Sequence, residues 1–170
     1  NTSYSVSGTG TNGCASSNTG VATVSVKASP TISVNGATIC SGSQAVITPT
    51  ATGISVFNIS GGNFTVSPTS NSSYSVTGTG TNGCAASNTA VASVSVNLTP
   101  TITVNSTTIC TGSSAVISPT ASGITLFNIT GNTFTVSPAS NTSYSVTGTG
   151  TNGCVASNTA VAQVSVIAAP

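Results

Sequence analysis

The chain has no Asp, Glu, Arg, His, Met or Trp, and a single Lys, Lys27. Each absence removes a class of chemistry. General acid–base catalysis draws on groups that titrate near neutral pH, chiefly His, Asp and Glu, so the expectation is a protein that is not an enzyme, with no catalytic residue. Calcium and magnesium are held by carboxylates, and zinc sites need about four closely spaced ligands. No metal site and no cofactor are therefore expected. Nucleic-acid binding needs a basic footprint, which one lysine does not supply. No apolar run approaches the roughly 18–20 residues of a membrane-spanning helix, so no membrane insertion is expected.

What remains is unusual in its own way. Thr (32), Ser (31) and Asn (16) make up nearly half of the 170 residues. Low charge does not mean disorder, because disordered chains combine low hydrophobicity with high net charge. This chain is 37% hydrophobic with a mean hydropathy of +0.36. Its apolar residues are mostly Val, Ile and Ala, and β-branched residues favour strands. Seven Pro and eighteen Gly interrupt it frequently. The composition reads as all-β.

A repeat organises the whole sequence. NTSYSVSGTGTNGC, NSSYSVTGTGTNGC and NTSYSVTGTGTNGC begin at Asn1, Asn71 and Asn141, a period of 70. Residues 31–100 and 101–170 align without a gap at 51 identities, and 7 of the 19 differences are Ser/Thr exchanges. Every Pro, Cys, Tyr and Phe keeps phase. The domains expected are 1–30, the last part of a truncated repeat, followed by complete repeats 31–100 and 101–170. The N-terminus does not read as a signal peptide, and the expectation is a window on a longer tandem array. Pro30, Pro100 and Pro170 close successive repeats and stiffen the joints, so a rod is expected rather than flexibly linked beads.

Alternation within the middle repeat predicts six strands: Thr31–Val34, Ala45–Thr48, Ile54–Ile59, Asn63–Ser67, Ser73–Thr79 and Thr89–Val96. Gly-, Asn- and Pro-rich segments separate them. Short strands at about 10-residue spacing point to a β-sandwich. Tyr4, Tyr74, Tyr144, Phe57, Phe127, Phe64 and Phe134 are expected in the core.

The phrases PTISVNGATICSGSQAVI, NFTVSPTSNSSYSVTGTGTNGC and NTAVASVSV resemble the immunoglobulin-like (Ig-like) repeats of giant secreted surface proteins of Bacteroidota. The resemblance covers all 170 residues. It implies tandem Ig-like sandwiches in a long extracellular adhesin or filament, often exported by the type IX system and in some cases serving gliding motility. Two features depart from that family: Thr79–Thr81 stand where it usually carries an Asp, and Phe57 and Phe127 where it carries a Trp. Tyr74 and Tyr144, just after the Ser-Pro turns, resemble the tyrosine corner of sandwich folds.

The five cysteines recur at spacings of 26 and 44. Without His to act as a base, and with two cysteines per repeat, disulfides are the best reading, and they imply an oxidising compartment. With six strands in an up-down path, Cys40 and Cys84 fall at the same end, and intra-repeat bridges Cys40–Cys84 and Cys110–Cys154 follow. A seventh strand would place them at opposite ends and favour bridges between repeats or chains. Cys14 is read as half of a bridge whose partner lies outside the sequence.

Asn-x-Ser/Thr sequons, the N-glycosylation signal, occur at Asn1, Asn58, Asn63, Asn71, Asn97, Asn105, Asn128 and Asn141. With Ser and Thr at 63 of 170 positions, about six are expected by chance, so the sequons alone do not argue for glycans. Near-zero charge promotes association, so either glycans cover these strands or the strands pack into a fibre. The Thr-Gly-Thr-Gly-Thr runs are too short for the long flat Thr arrays of an ice-binding face. The leading expectation is an extracellular structural protein, the shaft of an adhesin or a filament. Its partners would be neighbouring repeats, other copies in a fibre and, in the alternative reading, glycans or a surface recognised by an adhesive module.

Overall fold

The computed structural model describes residues 1–169; Pro170 lies outside the described residues. All regular structure among them is β. An antiparallel hairpin of β1 (Thr2–Val6) and β2 (Gly20–Val24) comes first. The middle repeat contains β3 (Ser33–Val34), β4 (Ala37–Cys40), β5 (Ala45–Val46), β6 (Pro49–Thr50), β7 (Ile54–Ile59), β8 (Thr65–Val66), β9 (Ser72–Gly80) and β10 (Ala90–Asn97). The last repeat follows the same plan. It contains β11 (Thr103–Val104), β12 (Thr107–Cys110), β13 (Ala115–Val116), β14 (Pro119–Thr120), β15 (Ile124–Ile129), β16 (Thr135–Val136), β17 (Thr142–Gly150) and β18 (Ala160–Ile167).

The described residues gather into two compact units. One comprises Asn1–Asn35, Thr48–Asn63 and Tyr74–Ala92, the other Gly36–Ile47, Phe64–Ser73 and 93–169.

The second unit holds the last repeat complete. Its main sheet runs β12-β18-β17-β15. β17 pairs antiparallel with β18 and with β15, whereas β12 pairs parallel with β18, setting Cys110 opposite Ile167. Two short ladders, β11–β14 and β13–β16, supply the other layer. The period-2 pattern of β17 and β18 explains the packing. Val146, Ala160, Ala162 and Val164 point inward and meet Ile102, Ala115, Ile117, Ile129 and Val136 in one core. Alternate residues face solvent, as in a half-solvated antiparallel sheet. The succession of last, penultimate and middle strands is that of the CFG sheet of Ig-type sandwiches. The protein is thus all-β, built of Ig-like β-sandwich repeats, and the middle repeat has the same strand order, β4-β10-β9-β7.

One glycine in the main sheet is fixed by close approach. A Cβ at Gly148 would lie 3.0 Å from the Leu126 carbonyl oxygen and 3.0 Å from Ile124 Cγ2, beside the register shift between Ile124 and Leu126. Bulges of this kind tighten local twist, and only a residue without a side chain fits beneath this one.

Two expectations about the fold are corrected. Each complete repeat has eight strands rather than six, β4 and β6 (and their counterparts β12 and β14) being additional. Tyr4 is not a core residue: it is 56% exposed, and every residue of β1 and β2 faces solvent. Its counterpart Tyr144 packs against the core that Ile102, Ala115 and Ile117 help to form, and the sequence has no equivalents of those three residues preceding the hairpin. Phe57, Phe64, Phe127, Phe134, Tyr74 and Tyr144 are half-buried, and in the last repeat Phe127, Phe134 and Tyr144 border the core.

Candidate functional site

With no Asp, Glu or His in the chain, the arrangement that stands out is a joint between copies. In the second unit Cys40 is joined to Cys154, 114 residues on, with Cα atoms 5.7 Å apart. This corrects both intra-repeat pairs, Cys40–Cys84 and Cys110–Cys154. Cys14, Cys84 and Cys110 are free.

The physical reason is a strand, β4 and its counterpart β12, where the sequence predicts a loop. Cys110 ends β12, which runs parallel to β18 and places it beside Ile167, at the far end of β18. Cys154 lies in the turn that precedes β18. The length of β18 separates them by about 23 Å at about 3.3 Å per residue, whereas a disulfide requires Cα atoms within about 7 Å. The two cysteines of one repeat therefore sit at opposite ends and cannot bridge to each other.

Local sequence builds both halves of the bridge. On one side β4 pairs parallel with β10, with Cys40 opposite Asn97. The chain then turns at Ser41-Gly42-Ser43: Ser41 N–H donates to the Asn97 carbonyl and Ser43 N–H to that of Cys40, at 2.9 Å each. Gly42 has φ +76°, a left-handed conformation that costs glycine little. On the other side, Thr151-Asn152-Gly153-Cys154 closes a turn with Gly150 N–H on the Cys154 carbonyl at 2.8 Å and Gly153 N–H on that of Gly150 at 2.9 Å. Asn152 Oδ1 accepts the Cys154 N–H at 3.0 Å. Cys154 is fully buried.

The segment leading from one copy to the next is held along its backbone by the same loop. Asn152 Nδ2 donates to the Leu98 carbonyl at 3.0 Å. Ser157 N–H donates to the Pro100 carbonyl at 2.9 Å. Asn158 accepts the Ile102 N–H and donates to the Ile102 carbonyl, both at 2.8 Å. The backbone groups of Leu98, Pro100 and Ile102 thus find partners within the protein.

The first unit repeats the pattern 70 residues earlier. Asn82 Nδ2 donates to the Ala28 carbonyl at 2.9 Å, Ser87 N–H to the Pro30 carbonyl at 2.9 Å, and Asn88 brackets Ile32 at 2.9 and 2.8 Å. Here Lys27, the only charged side chain, occupies the position of Asn97 and donates to the Asn82 carbonyl at 3.0 Å.

These asparagines and serines were missed in the sequence, although Thr-Asn-Gly-Cys and Ser-Asn-Thr recur in every copy. Several sequon asparagines are also structural. Asn1, Asn71 and Asn141 accept the backbone N–H groups of Val26, Val96 and Val166 at 2.7–2.9 Å. Asn105 bonds the backbone of Val116 and Ser118, and Asn97 reaches the Asn152 carbonyl at 3.5 Å. Asn58 and Asn128 are exposed on β7 and β15. Asn63 also takes part in an interaction. A shallow groove of about 430 Å³ in the first unit is lined by Thr31, Ile32, Ser33, Thr50, Ala51 and Thr52, with no charge and no aromatic ring.

No family model matches the chain, and no curated protein does. Among solved structures, the fibronectin(III)-like modules of Clostridium thermocellum CbhA align over 81% of this chain and 94% of theirs, at 14% identity and a TM-score of 0.37. The titin I-band fragment I67–I69 aligns over 84% of this chain and 67% of that one, at 11% identity and a TM-score of 0.44. The Bacteroides ovatus glucan-locus protein SGBP-B, solved with a mixed-linkage heptasaccharide, aligns over 77% and 43%, at 15% identity and a TM-score of 0.25. Likenesses at these values carry no functional argument.

Proposed function

We propose that the chain is a load-bearing segment of an extracellular repeat protein, the shaft of a cell-surface adhesin or filament, with 1–30, 31–100 and 101–170 as successive modules. The observation that carries this reading is the Cys40–Cys154 bridge, which ties one copy covalently to the next. Two further features support it. The peptide between copies is fastened by Asn152, Ser157 and Asn158 rather than left as a free tether. Cystines also persist in oxidising compartments outside the cytosol. The groove beside Thr31 and Thr50 lacks the rings and charges that sugar recognition ordinarily uses, which favours the structural reading over the adhesive one. Immunogold labelling of intact source cells with an antibody raised against residues 31–170 tests it. Label along surface fibres is expected; label that appears only after permeabilisation would contradict it.

A further inference from the structure

The free cysteines occupy half-built versions of the joint that Cys40 and Cys154 complete. Cys110 ends β12 opposite Ile167, as Cys40 ends β4 opposite Asn97. The turn after it is also the same: Thr111 N–H donates to the Ile167 carbonyl at 2.9 Å, Ser113 N–H to that of Cys110 at 3.0 Å, and Gly112 has φ +83°. Cys110 is exposed. Cys84 sits in the other half. Its turn has Gly80 N–H on the Cys84 carbonyl at 2.8 Å and Cys84 N–H on Asn82 Oδ1 at 3.0 Å. The loop is already fastened to the preceding segment through Asn82, Ser87 and Asn88.

We propose that Cys110 and Cys84 are docking thiols for further repeats of this same sequence in one continuous chain, and that the bridges form a ladder of fixed register. Each Thr-Ile-Cys cysteine joins the Thr-Asn-Gly-Cys cysteine of the following copy, 114 residues on, as Cys40 joins Cys154. Cys110 takes the cysteine of a copy that follows 101–170, and Cys84 that of a copy that precedes 31–100. The oxidant is a small-molecule disulfide such as oxidised glutathione. The Cys110 thiolate attacks it, releasing one glutathione and forming a mixed disulfide. The thiolate of the neighbouring copy then displaces the second glutathione. One protein S–S bond forms, the glutathione S–S bond breaks, and both thiol protons end on two reduced glutathiones. This inference deepens the proposed function but rests on the joint geometry, so its test in solution can fail while surface localisation holds, and the reverse.

Two experiments in glutathione redox buffer decide it. In the first, a further copy of residues 101–170 is fused after Pro170 and a non-reduced digest is mapped. Cys110 is expected in a single linkage to the Thr-Asn-Gly-Cys cysteine of the added copy, beside Cys40–Cys154. An alkylatable Cys110, a Cys110–Cys84 link, or covalent dimers joined through Cys110 of two chains would overturn the proposal. The second uses the 170-residue chain with Cys40→Ser and guards against misfolding of the longer one. Cys154 should then stay free for alkylation, because Cys110 lies at the wrong end of its own repeat. A Cys110–Cys154 link would overturn the fixed register.

Discussion

Stretching the chain from its two ends measures the joint directly. Bridged Cys40 and Cys154 hold the 114 residue steps between them out of the extended contour, replacing them with a Cα separation of 5.7 Å. At about 3.5 Å per extended residue, reduction should lengthen the fully unfolded chain by about 400 Å. Two intra-repeat bridges would instead release about 310 Å, in two separate portions of equal size. Single-molecule force–extension curves before and after dithiothreitol distinguish the two. Dithiothreitol should release the hidden length in one event, and a Cys40→Ser variant should show the full contour without reductant. Equal contours before and after reduction, or two gains of about 155 Å each, would refute the assignment of strand direction on which the joint depends. The same closed loop is worth about 4.8 kcal/mol in the chain-entropy model, so reduction should also lower the denaturant midpoint.

Three further outcomes are expected. Ile117, buried in the core of the last repeat at 2% exposure, should cost about 2–5 kcal/mol when changed to Ala, while Val116→Ala at its exposed neighbour in β13 should stay within about 0.5 kcal/mol; urea unfolding reads both. Asn158→Ala strands the N–H and carbonyl of Ile102 and should cost about 2–3 kcal/mol, with faster amide exchange at Ile102 by NMR. Thermal melts at pH 3.5, 5 and 7 should agree within a few degrees, because side chains that titrate in that range are Asp, Glu and His, the chain has none, and folding cannot then change proton uptake except at the chain ends.

Much of the fold was legible because the 70-residue repeat doubles every local signal. β7, β9 and β10 lie where alternation placed them, and Ala90, Ala92 and Val94 point inward as the period-2 pattern requires. What escaped were the short elements. Ala37–Cys40 has four residues, two of them β-branched, after Asn35-Gly36, and reads equally well as loop; only its parallel pairing with β10 shows its direction. The direction of that strand decides the cysteine partners, so one missed element inverted both predicted bridges. Tyr4 failed for a different reason: burial belongs to a packed pair of layers rather than to a residue type, and identical strand sequences face solvent in β1 and a core in β17. Asn82, Asn88, Asn152 and Asn158 were invisible among sixteen asparagines until their backbone partners could be seen.

The central claim is that copies are fastened to one another rather than each closed on itself. The measurement that tests it most directly is mass spectrometry of a non-reduced digest of the oxidised chain, alkylated first to protect free thiols. The account predicts a cross-linked peptide pair containing Cys40 and Cys154, with Cys14, Cys84 and Cys110 alkylated. Peptides joining Cys40 to Cys84, or Cys110 to Cys154, would contradict it.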